Sequence, residues 1–179
     1  MDRKKQAVKT ERLFLRPWSE ADAEILYSLA SDPDVCRNAG FPLHRSAEES
    51  LAVIRGFYSV PFQYAVCEGE TGELQGGASI SRGKMGSFPL AKGEGEIGIW
   101  LGRPYWGRGL GTEILRALLS LCFEELECKR VYACAYRDNT ASIRMQLKCG
   151  LVPYGYVKNA VNPFDGKPVE KLVFCLNKD

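Results

Sequence analysis

Between Glu96 and Thr112 an apolar run, Glu96-Ile-Gly-Ile-Trp-Leu101, passes into glycines at 107, 109 and 111 and then directly into a helical pattern. Glycine lets consecutive backbone N–H groups turn into one concavity, and the helix that follows adds the positive end of its dipole. The segment therefore predicts a strand, a phosphate cradle and a helix, and with them a nucleotide-like ligand. Two common phosphate loops do not fit. No Gly-Lys-Ser/Thr closes the run, and a dinucleotide fingerprint read from Gly107 would need glycine where Thr112 stands. Such a fingerprint also sits early in its fold, whereas here roughly a hundred residues come first. A tight turn without a ligand satisfies the same spacing.

A chain of 179 residues, 45% hydrophobic and 26% charged, is long enough for one well-buried core and short for two. The formal charge of +2 does not argue for nucleic acid. Arg3, Lys4, Lys5, Lys9, Arg12 and Arg16 make the first stretch basic, and residues 1–7 read as a flexible basic N-terminus ahead of a single domain over 8–179. The seven cysteines form no C-x-x-C pair. Six of them lie in or beside apolar segments, with Cys36 the exception in a polar loop, and most read as buried thiols. An odd count, with no signal peptide or membrane-length apolar run, points to a reducing cytoplasm. His44 is the only histidine, so a zinc site or a histidine-activated nucleophile has little to be built from.

Alternation predicts a strand over Val8 to Leu15, with Leu13 and Leu15 inward and Pro17 near its end. Ser19 caps a helix to about Ala30 whose stripe is Ile25, Leu26 and Leu29, and Ser46-Ala-Glu-Glu49 is a capping box for a second helix ending near Tyr58. Ser31 to Arg45 reads as a polar loop between them. Phe62–Glu68 and Glu73–Ser81 form a hairpin, and Glu94 to Leu101 extends the sheet across a glycine-rich, mobile connection, Arg82 to Gly93. After the cradle, Leu110, Ile114, Leu115, Leu118, Leu121 and Cys122 mark a core-facing helix. A strand at Arg130–Ala135, a helix at Asn139–Cys149 stopped by Gly150, and strands at Val152–Val157 and Val169–Leu176 complete an α/β order.

Tyr105-Trp-Gly-Arg-Gly-Leu-Gly-Thr-Glu113, followed at the right spacing by Asn139-Thr-Ala-Ser-Ile-Arg-Met-Gln-Leu-Lys-Cys-Gly-Leu151, resembles the GNAT acyl-CoA N-acyltransferases. Thr10-Glu-Arg-Leu-Phe-Leu-Arg-Pro17 and Gly166-Lys-Pro-Val-Glu-Lys-Leu-Val-Phe174 resemble the branch that includes the RimJ/RimL-type ribosomal-protein N-terminal acetyltransferases. Four motifs in order cover most of the chain. The resemblance implies a single-domain GNAT fold, a mixed central sheet with a splayed strand pair flanked by helices. It implies acetyl-CoA (coenzyme A) as acetyl donor, no metal, and direct transfer to a primary amine. The acceptor is a protein N-terminus or a small amine such as an antibiotic or polyamine, taken by a monomer or homodimer.

By that resemblance the cradle Trp106, Gly107, Arg108, Gly109, Leu110, Gly111 and Thr112 holds the pyrophosphate, with Arg108 and Arg103 adding charge. Trp106 stands where the family more often has Gln or Arg, a departure shared with the RimJ/RimL-like branch. Ile97, Gly98, Ile99, Trp100 and Leu101 pair with the pantetheine arm, and an N–H near Gly98 to Trp100 stabilises the oxyanion. Asn139 holds the pantetheine or the strand geometry, and its residue type also suits a helix N-cap. Glu96, directly or through water, is the candidate base, with Glu94 the alternative. Many GNAT enzymes place a tyrosine at the position of Gln146; glutamine cannot act as that acid, so Ser142 becomes the candidate donor to the leaving thiol.

The loops Ser31–Arg45, Arg82–Gly93 and Lys158–Pro168 are implied to frame the acceptor cleft, where Asp32, Asp34, Glu94 or Asp165 would attract a cationic amine. Two rivals come from other classes. A coenzyme-A-binding sensor without turnover draws on the missing tyrosine, and a ribosome-associated RNA binder draws only on the basic N-terminus.

Overall fold

The computed structural model describes residues 7–178. The basic tail expected over 1–7 falls, but for Ala7, outside the described residues. Eight strands are present among the described residues: β1 (Val8–Lys9), β2 (Leu13–Pro17), β3 (Gln63–Glu68), β4 (Leu74–Ser81), β5 (Glu94–Leu101), β6 (Arg130–Tyr136), β7 (Val152–Val157) and β8 (Lys171–Asn177). Five helices accompany them: α1 (Ala23–Ala30), α2 (Pro33–Ala39), α3 (Ala47–Arg55), α4 (Leu110–Ser120) and α5 (Thr140–Lys148). The strands make one sheet in the order β1-β2-β3-β4-β5-β6-β8-β7, in which β5 and β6 are the parallel pair.

Alternation along the strands fills both faces of this sheet. Leu15, Val66, Ile80 and Ile97 face the α4 stripe of Leu110, Ile114, Leu115 and Leu118, all buried. On the other face Trp100 and Trp18 pack with α1 and α3 through Leu26, Ala30 and Ile54. Gly77 makes room there, because a Cβ on it would meet the Trp100 indole.

β5 and β6 stay in register from Glu94↔Arg130 to Ile97↔Ala133. Beyond that, β5 runs to Leu101 against β4 while β6 runs to Tyr136 against β8. The two strands diverge, as the splayed-pair expectation required. The fork is the feature that positions the site.

Several local expectations change. The strand expected over Val8 to Leu15 breaks at Thr10–Arg12, and β1 folds back on β2 with Val8 opposite Leu15. Ser19 caps a single 3-10 turn, Glu20–Asp22, in a true capping box before α1 begins. On α1 Ile25 is exposed, so the inward stripe is Leu26 and Leu29. Ser46 accepts from the Glu49 N–H, but the Glu49 carboxylate takes the Arg45 N–H rather than that of Ser46. α3 then stops at Arg55, before a 3-10 turn over Phe57–Ser59.

The largest revision concerns Ser31–Arg45. Asp32 accepts from the Asp34 and Val35 N–H groups and Pro33 occupies the first turn, which starts α2 inside the supposed loop. Cys36 is then fully buried on α2, its thiol donating to the Ala30 carbonyl, and burial pushes that thiol up to about 11. The Arg82–Gly93 connection is likewise structured in part, with a 3-10 turn at Gly83–Met85 and Leu90 buried against Tyr132.

Candidate active site

A cavity of ≈ 430 Å3 fills the fork between β5 and β6. Glu96 to Leu101 form one wall, Trp106 to Thr112 the floor at one end, and Asn139, Ala141, Ser142 and Met145 the wall opposite. Of the residues assigned above to catalysis or cofactor binding, all but Arg103 and the alternative base Glu94 line this one space. Val35, Asn38 and Ala39 of α2 line it from within the Ser31–Arg45 stretch expected to frame the acceptor cleft, and Cys134 to Tyr136 of β6 and Lys171 at the start of β8, which sequence reasoning had not assigned to the site, line it too.

The cradle has the geometry its glycines predicted. Gly107 and Gly109 adopt positive φ, 73° and 78°, where a side chain is strained. Gly109 is the N-cap of α4 and supplies no side-chain cap. The N–H groups of residues 107–112 accordingly have no acceptor among the described residues. Unpaired backbone donors around a concave helix start suit a multiply charged anion. At Gly111 a Cβ would lie 2.8 Å from the Met145 sulfur, so glycine there also lets α4 and α5 approach.

The charges around the cradle sort differently from expectation. Arg108 is exposed at the cavity rim with no carboxylate in salt-bridge range among the described residues, its guanidinium 5.8 Å over the Tyr105 ring. Arg103 is instead bonded to Asp32 at 2.7 Å and to Asp34, and does not line the cavity. It is spent on fastening α2 to the turn after β5, and its hydrogen bonds hold Asp32 below the ordinary carboxylate value. Trp106 donates its indole N–H to the Leu101 carbonyl at 2.7 Å, closing the end of β5.

The acids proposed to attract an amine are all engaged. Asp32 and Asp34 face Arg103, Glu94 accepts from the Tyr132 hydroxyl and lies 4.0 Å from Arg130, and Asp165 lies 3.7 Å from Lys167. None of them lines the cavity. Glu96 does. It is 7% exposed and accepts from the Ser87 N–H at 2.5 Å and the Ser87 hydroxyl at 2.6 Å, while the Lys171 ammonium donates to Ser87 Oγ at 2.7 Å. The Arg82–Gly93 connection thus reaches into the site and orients its one carboxylate.

On the opposite wall Asn139 caps α5, accepting from the Ser142 N–H at 3.1 Å. Ser142 Oγ accepts from Gln146 Nε2 at 3.1 Å, and the same nitrogen donates to the Cys134 carbonyl at 3.2 Å. His44 lies away from the cavity, buried, with Nδ1 2.8 Å from Ser50 Oγ. Among the described residues no His/Cys/Asp/Glu group has the arrangement of a metal site, and no helix is long and apolar enough to cross a membrane.

A parallel strand pair that opens beside a glycine-lined helix start makes a cleft suited to an extended ligand that carries phosphate. The acetyltransferase (GNAT) domain family matches residues 12–152, and the chain belongs to it. It is a GNAT-family N-acetyltransferase, of a family that uses acetyl-CoA. The uncharacterized N-acetyltransferase YoaA of Bacillus subtilis (strain 168) is 26% identical over 178 residues, 96% of each chain. The spermine/spermidine N(1)-acetyltransferase of the same strain is 31% identical over 90 residues, 47% of this chain and 56% of that one. Among solved structures, the RimL ribosomal alpha-N-protein acetyltransferase in complex with coenzyme A superposes with a TM-score of 0.78 at 18% identity, over 97% of this chain and 99% of that one.

Proposed function

We propose that this chain transfers acetyl from acetyl-CoA directly to the α-amine of a protein N-terminus, in the manner of the RimJ/RimL-like branch. The observation that carries the reading is the charge balance of the cavity. Its lining holds one carboxylate, Glu96, already bonded to Ser87, against the two cations Arg108 and Lys171. A polycation would find no second acid there, whereas an α-amine brings a single charge. The α-amine's ordinary pKa of about 7.7–8.0, against about 10.4 for lysine, also asks less of a base.

The residues present fit coenzyme A. The free N–H groups of residues 107–112 and Arg108 would hold its pyrophosphate, and the β5 edge released beyond Ile97 would hold its pantetheine arm. When bound, acetyl-CoA supplies an activated thioester carbonyl. Glu96 takes the proton lost by the amine, directly or through water, as the C–N bond forms. A β5 N–H in the Gly98–Trp100 stretch steadies the oxyanion. Ser142 then hydrogen-bonds the sulfur as the C–S bond breaks and its electron pair moves there. The free thiols suit a reducing cytoplasm.

The likeness to a spermine/spermidine acetyltransferase favours a second reading, a small polyamine as acceptor. Calorimetric titration with acetyl-CoA, then thiol release against peptides of different N-termini, spermine and spermidine, separates the two. Turnover on peptides supports the first reading and turnover on polyamines alone replaces it. Failure of the folded protein to bind acetyl-CoA would overturn both.

A further inference from the structure

Gln146 is 1% exposed, yet its Oε1 meets no donor among the described residues. A buried amide oxygen without a partner is unfavourable, and leucine would fill the same space with no such penalty. Packing therefore gives no reason for glutamine here. Its nitrogen does. Nε2 donates to the Cys134 carbonyl at 3.2 Å and to Ser142 Oγ at 3.1 Å, using both of its hydrogens.

The carbonyl decides which way the amide turns. Cys134 O can only accept, so the amide nitrogen must face it, and the alternative orientation would set two oxygens against each other. Cys134 lies one residue past Ala133, where β5 ceases to pair with β6. The amide is thus anchored on the splayed strand itself. Once Nε2 is fixed, its second hydrogen reaches Ser142 from one turn away on α5, four residues apart.

The consequence falls on the serine proton. A helical serine ordinarily turns its hydroxyl hydrogen back to the preceding turn. Here the oxygen is occupied as an acceptor, and no protein group takes its hydrogen among the described residues. Ser142 lines the cavity together with Asn139 and Met145. We infer that Gln146 is a positioning residue that holds Ser142 as a hydrogen-bond donor aimed into the cavity, toward the departing thiolate. The residue standing where a tyrosine acid would be expected thereby serves the same step through its neighbour. This rests on the role given to Ser142 above.

The test is a double-mutant cycle with Gln146→Met, which keeps volume and removes the donors, and Ser142→Ala. Rates are read as thiol release from acetyl-CoA with an alanine-initiated peptide and with spermine. Gln146→Met is expected to lower kcat about tenfold, with KM for acetyl-CoA changed less than about twofold. In the Ser142→Ala background it is expected to cost nothing further. Independent losses that multiply in the double variant, or a wild-type rate in Gln146→Met, would overturn the inference. A rate that falls only in step with Tm would overturn it as well, by showing a packing role. Should Gln146→Met fail to fold, Gln146→Leu serves in its place with the same outcomes. Wild-type turnover in Ser142→Ala would instead remove the serine mechanism on which the inference depends, a failure visible in that single variant alone.

Discussion

Arg12, in the β1–β2 turn, and Glu113, in the first turn of α4, are joined at 2.7 Å, Arg12 Nε donating to one carboxylate oxygen while Arg12 Nη1 reaches the Arg108 carbonyl at 3.0 Å. The other oxygen of Glu113 accepts from the Arg12 backbone N–H and from the Thr10 hydroxyl. An acid in the first turn of α4 would repel a pyrophosphate at the same helix end. Its closure onto the β1–β2 turn supplies the counter-charge and ties the cradle to the sheet edge.

Arg12→Ala should therefore loosen the cradle more than the fold. Arg12 is about half exposed, so the pair contributes at most about 1 kcal/mol to stability. Coenzyme A affinity should fall by roughly tenfold, the ~1.4 kcal/mol scale of one charge-assisted bond network. Calorimetry on the variant decides it. Unchanged affinity would mean that the cradle keeps its shape without this fastener.

Gly109→Val places a β-branched residue at φ 78°, a conformation that costs L residues roughly 1–2 kcal/mol. Open space surrounds this position apart from Arg12 NH2 at 3.7 Å, so the fold should survive with a lowered Tm. Because the backbone donors would turn away, affinity for coenzyme A should drop by more than that strain alone predicts. If affinity matched the wild type, the phosphate site would have to lie elsewhere.

The parts of this site legible in the sequence are those written in backbone chemistry. Alternation located β5, positive-φ glycines the cradle, and Asn139 the start of α5, because each signal lies within a few residues of its effect. Arg12 was invisible, since its partner lies 101 residues away in sequence and an arginine on a short strand reads as solvated. Ser87 and Lys171 escaped for the same reason: they meet only where the Arg82–Gly93 connection folds over β5. The start of α2 is a different case. Asp32-Pro33 is a recognisable helix beginning, and reading that stretch by its polar composition concealed it. Gln146 could be seen as a departure from the tyrosine pattern, but its purpose depends on the Cys134 carbonyl across the fork.

Glu96→Gln keeps the shape of the Ser87 contacts and removes the proton acceptor. Loss of a general base costs on the order of 10²-fold or more. The loss should be greater for a lysine-type amine than for an α-amine, because the former is more fully protonated at neutral pH. Steady-state rates across a pH series with both acceptor types test this. Equal rates for wild type and variant would transfer the role to solvent.

His44 makes stability depend on pH. Burial lowers its folded pKa below the ordinary 6.5, opposed by the charge of Glu49, and the ring is held against Ser50. The unfolded chain therefore binds a proton more readily than the folded one. Stability due to the neutral ring is fully present above about pH 6.5 and is lost as pH falls from there through the lower folded value. His44→Gln keeps a polar partner for Ser50 and removes this titration. At pH 8 the variant should be less stable by roughly 1–2 kcal/mol, from imperfect packing and an altered hydrogen bond. Between pH 7.5 and 5 its Tm should fall less than that of the wild type. His44 is the only histidine, so no other imidazole can produce the difference. Parallel Tm curves for the two proteins would show that His44 is already able to ionise in place.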